Sequence, residues 1–86
     1  MPEISRFFGI IIRIRLNDHA PPHFHVVYGE EMATVDMRTL RILAGSLRPR
    51  VRGLVVEWAA AHEQELLADW DLARRGLPPR PIAPLE

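Results

Sequence analysis

Apolar and polar residues alternate with a period of two through the first half of the chain, then change to a period of 3.6. From Phe7, FFGIIIRIRL reads as a strand with Ile10, Ile12, Ile14 and Leu16 on one face and Ile11, Arg13 and Arg15 on the other. Residues 17–22 form a turn, because Pro21 and Pro22 lack the amide donors that a central strand needs. HFHVVYG is the second strand, with Phe24, Val26 and Tyr28 inward and His23, His25 and Val27 outward. Residues 29–31 turn the chain into MATVDMR, where Ala33, Val35 and Met37 oppose Thr34, Asp36 and Arg38. Residues 40–44 add a short fourth strand, ended by Gly45 and Ser46.

Beyond Arg48, the residues Val51, Leu54, Val55, Trp58, His62, Leu66, Trp70 and Ala73 fall on one helical stripe. The spacing predicts one long helix over about 48–75, or two with a break near His62. Pro49 suits the first turn and Gly76 the stop. Residues 77–86, LPPRPIAPLE, hold four prolines and should run extended, free to pack along another surface. The expectation is a single α+β domain: three or four antiparallel strands over about 5–45, the helix on one face, and the tail. The other face carries Ile11, Val27 and Leu43 among Arg13, Arg15, His23, His25, Thr34, Asp36 and Arg41. That is too apolar for an idle solvent face and too polar for a core, so a site or an interface belongs there.

Composition narrows the chemistry. A chain of 86 residues buries only about 60–65% of its unfolded surface, and its 48% apolar and 26% charged fractions exclude a disordered chain. Without cysteine there is no disulfide, thiolate zinc site or cysteine nucleophile. The longest apolar run, residues 7–12, is too short for a membrane span and lacks a signal-peptide cleavage region, so a cytoplasmic protein is expected. Net charge is zero and all eleven basic residues are arginine. Residues 1–56 hold eight of them against five acids, and residues 57–86 three against six. This weak basic lobe falls short of the stripe expected of a general nucleic-acid binder.

His23 and His25, at i and i+2 on a strand, project from one face with their bases about 6.5–7 Å apart. With His19 and Asp18 they make a nitrogen and oxygen set suited to zinc or nickel. Without an ion, His23 and His25 can act as acid and base while Arg13, Arg15 and Arg41 hold a phosphate, a combination suited to metal-independent RNA cleavage. As a third reading, they are polar tips of an interfacial strand. Arg48, Arg50 and Arg52 crowd the helix start, where cations oppose the dipole unless an anion or acidic partner sits nearby. Trp58 and Trp70 are core anchors, His62 is a boundary residue, and Asp36 is a weak candidate to orient an imidazole. Glu57, Glu63, Glu65, Asp69 and Asp71 form the solvated side of the helix.

DHAPPHFHV, with MPEISRFFGI before it and WxxxHxxELLxxW and ARRG after it, resembles the bacterial and archaeal family called domain of unknown function 4160 over essentially the whole chain. The family's motif residues fall here on Asp18, His19, Pro21, Pro22, His23 and His25. The resemblance implies a component of a toxin–antitoxin-like gene pair that acts through a small protein partner, and it supplies no catalytic assignment. The leading expectation is therefore a partner-binding protein, with ribonuclease activity as its enzymatic form; RNA binding or a homo-oligomer also fits. The alternative is a non-catalytic metal-binding or adaptor domain.

Overall fold

The chain doubles back at its first glycine. In the computed structural model, which describes residues 1–86, Phe8 and Gly9 both take positive φ, 50° and 80°. Two such residues in succession make the tight turn favoured by hairpins; here they join β1 (Glu3–Phe7) to β2 (Ile10–Arg13). The stretch read as one strand from Phe7 is thus the end of β1, a turn and β2. Three further strands follow, β3 (His23–Tyr28), β4 (Glu31–Asp36) and β5 (Ile42–Gly45), and the five pair in chain order as one antiparallel meander. The sheet therefore has one strand more than the upper expectation.

Alternation sends the predicted residues inward. Ile10, Ile12, Ile14, Phe24, Val26, Val35 and Met37 are buried and meet Val51, Val55, Trp58, Leu66 and Trp70 from the helical side. Leu16 lies past the end of β2 and is exposed, not part of this row. Trp58 anchors the core, with its ring centroid 5.4 Å from Phe7 and 6.0 Å from Phe24. Burying a side chain of that size contributes about 4–6 kcal/mol by area.

The helical segment is two helices, α1 (Pro49–Ala61) and α2 (Glu63–Arg74). At the break, His62 leaves helical geometry with φ −123°, and its Nδ1 lies 2.6 Å from Glu65. Acids at Glu63 and Glu65 favour a new N-terminus there. Gly76, at φ 73°, stops α2: the Leu77 amide donates to the Leu72 carbonyl and the Gly76 amide to Ala73, the Schellman pattern. The tail then crosses to the sheet, where Ile82 is buried and its amide donates to the Ile4 carbonyl at 2.7 Å, while Trp58 Nε1–H donates to Ala83 at 2.8 Å.

Asp69 departs from its expected place on the solvated side. It is 2% exposed, and one carboxylate oxygen accepts the Arg80 amide at 2.8 Å while the other has no partner. The tail covers that stretch of α2, which a solvent-exposed helix face did not anticipate. No helix is long and apolar enough to cross a membrane.

Candidate metal centre

The 17–22 loop runs between α2 and the start of β3. The Asn17 amide donates to the Ala73 carbonyl at 2.9 Å, and the Met37 amide to Pro22 at 2.9 Å. So tethered, the loop turns Asp18 back toward β3, where Asp18 Oδ2 lies 2.8 Å from His23 Nε2 and 3.7 Å from His25 Nε2. One ligand atom from each of these three residues can be chosen so that all lie within 4.8 Å of one another.

His23 does not stand on a bare face. Its side chain is 8% exposed, because Trp70 of α2 packs against it at 5.0 Å between centroids and His25 lies edge-on at 5.2 Å. Its Nδ1 is 2.7 Å from the Pro21 carbonyl. A carbonyl only accepts, so Nδ1 carries the hydrogen and Nε2 is the nitrogen turned to Asp18. The two groups are hydrogen-bonded there.

His25 is half-buried. Its Nδ1 makes a long 3.4 Å contact with the Thr34 hydroxyl, and its buried Nε2 has no hydrogen-bond partner. Burial, and then the charge of His23, pull the His25 pKa below its ordinary value, against the opposing effect of Asp18. Leaving such a nitrogen unpaired costs about 1–3 kcal/mol. Partial burial pushes Asp18 up, but the His19 amide, the His23 hydrogen bond and the charges of both histidines together hold its carboxyl below the ordinary value.

His19, the predicted third nitrogen, turns away. Its side chain is 92% exposed and reaches only the outer oxygen of Asp18, at 3.3 Å. Its amide rather than its ring serves the centre, by donating to Asp18 Oδ1 at 2.9 Å.

The arginines divide. Arg13 stands opposite His25 in the β2–β3 register, and Arg15 lies near enough for its charge to act on His25. Arg41 is exposed on the β4–β5 turn, without an ion pair. Arg48 is taken: its guanidinium meets Glu31 at 2.7 Å and covers the Tyr28 ring at 5.1 Å, while Glu31 also accepts the Arg48 amide. Glu31 is the acidic neighbour that offsets the basic start of α1, and only Arg50 and Arg52 remain without an ion pair there. Asp36, opposite His23 in register, spends its carboxylate on the Arg38 and Thr39 amides and orients no imidazole. The residue that does so is Asp18, five positions before His23.

An antiparallel meander with two helices on its core, and two imidazoles and a carboxylate converging where loop meets sheet, defines a small α+β domain with a histidine–carboxylate centre. The family model described as domain of unknown function (DUF4160) matches residues 9–71. The chain belongs to this family, and the matched span includes the loop, β3 and both helices up to Asp71. No curated protein and no solved structure matches the chain.

Proposed function

We propose that this protein is a divalent-metal-binding domain whose centre is Asp18, His23 and His25, and that it works with a small protein partner. The observation that carries the metal reading is the convergence of the three ligand atoms. A tetrahedral ion held at about 2.0–2.1 Å sets neighbouring ligand atoms about 3.3–3.5 Å apart. The 2.8 and 3.7 Å separations at Asp18 Oδ2 bracket that edge. An ion would take the place of the hydrogen bond between His23 and Asp18 and give His25 Nε2 the partner it lacks. The Pro21 carbonyl on His23 Nδ1 is the outer support that metal-bound histidines characteristically have. Nitrogen and carboxylate donors without sulfur suit zinc or nickel.

The same geometry weighs against a metal-independent ribonuclease. Both nitrogens of His23 are engaged and its ring is covered by Trp70, so it has no free edge to offer a ribose or a leaving group. The partner reading draws on the family resemblance and on the open sheet face, where Met32 and Leu43 are exposed beside the unpaired edge of β5.

Calorimetric titration of the purified chain with zinc tests the proposal. One equivalent should bind, and His25→Ala should lose about 100-fold or more in affinity. Equal binding by the variant, or none by the wild type, would refute the centre.

A further inference from the structure

We infer that a groove on the open face of the sheet is a binding site for a small organic anion, an acidic head group on a short apolar body. It is distinct from the metal centre and touches it only through the His25 ring. The groove has a volume of about 250 Å³ and ten lining residues, none of them a carboxylate. At about 30 Å³ for each water, it has room for roughly eight waters, the space of a small organic ligand.

The sheet register gives the groove two unlike rows. Arg13, His25, Thr34 and Ala44 stand opposite one another across four strands and supply a guanidinium, an imidazole and a hydroxyl. Two residues along, Val27 faces Met32 and supplies an apolar row about 6.5–7 Å away. A ligand lying across both rows meets charge at one end and methyl and thioether groups at the other.

Arg13 is the reason to expect an anion. It is partly buried and makes no ion pair, although Glu3 stands opposite it in the β1–β2 register. The Glu3 carboxylate is held instead by Arg6 in a two-pronged pair, at 2.7 and 3.0 Å, and Arg13 acts on it only through its charge, without an ion pair. Arg15 adds positive charge nearby. A guanidinium held beside a groove free of acids matches a planar carboxylate or a phosphate, either of which it can bind through two parallel hydrogen bonds. The inference does not depend on the ion.

The test is a ¹⁵N NMR titration of the full chain, in the presence of EDTA, with acetate, butyrate and propyl phosphate. Butyrate or propyl phosphate should shift the Val27, Thr34, Ala44 and Gly45 amides saturably, and whichever binds tighter names the head group. Arg13→Gln should weaken binding about tenfold or more, and Arg74→Gln, at an exposed position of α2 that does not line the groove, should not. Ala44→Leu, which fills the groove and leaves the charge alone, should also abolish the shifts, so the site remains testable if Arg13→Gln folds poorly. Absent or non-saturable shifts, or unchanged affinity in both groove variants, would overturn the site. Acetate binding as well as butyrate would overturn the apolar half. These outcomes are separate from the zinc result, because metal is excluded throughout.

Discussion

Asp18 ties the loop to the sheet through Oδ2, which lies toward His23, while its Oδ1 accepts the neighbouring His19 amide within the loop. His19 itself contributes an amide rather than a ring, so His19→Ala should leave zinc affinity within about twofold, whereas His25→Ala removes most of it. Chain spacing alone could not separate the two, since Asp18, His19, His23 and His25 all lie within eight residues; only the direction in which the loop folds decides which reach a common point. A second residue-scale test concerns Asp69. Burial pushes its carboxyl above the ordinary value and the charge of Glu65 adds to this, against the Arg80 amide and guanidinium. A raised pKa in the folded state means stability that is present below the unfolded pKa, near 4, and lost as pH rises through the folded value. Wild type should therefore gain stability relative to Asp69→Asn as pH is lowered from 7 toward 4, as measured by urea unfolding. A pH-independent difference between the two would show that Asp69 does not titrate in this range.

At the scale of elements, alternation revealed β3 and β4 because each is an unbroken run with apolar residues inward. β1 was not legible. A shift in register between Glu3 and Ser5 puts Ile4 and Ser5 both in buried positions and spoils the period. The glycine after Phe8 was the available sign of a turn, since an isolated glycine in a strand pattern marks a bend. The break at His62 was legible as an alternative, and the stop at Gly76 outright. That the tail could pack along another surface was legible, but where it docks was not, because the acceptors that hold it are the backbone carbonyls of Ile4 and Ala83, which any sequence carries. Ile82→Ala should cost about 2 kcal/mol and shift Trp58 fluorescence to the red as the tail frays; an unshifted spectrum would mean that the tail stays docked without it. The β4–β5 pairing has an equally local test. At Gly45, with φ 76°, a Cβ would collide with the Met32 carbonyl oxygen. Gly45→Ala should lower Tm by about 10 °C or more, and a change of only a degree or two would show that the edge strand can yield.

For the whole molecule, the centre joins parts distant in sequence. Trp70 on α2 covers His23, the loop is bonded to Ala73, and His25 sits within the sheet. An ion bound there should stabilise the entire domain, by about 2.7 kcal/mol at a free concentration 100 times its Kd. For a domain of this size that corresponds to a rise in Tm of roughly 10–20 °C. Zinc should raise the wild-type melting temperature in this way and leave His25→Ala unmoved. The α+β class and the inward rows were readable because burial follows period. That Asp18 and not His19 completes the set with the two strand imidazoles was not, because it depends on where α2 holds the loop. The most direct measurement is X-ray absorption at the zinc edge of the stoichiometric complex. The account predicts a first shell of two imidazole nitrogens and a carboxylate oxygen at about 2.0–2.1 Å, with the imidazole signal reduced in His25→Ala. A shell of oxygens alone, without imidazole scattering, would contradict it.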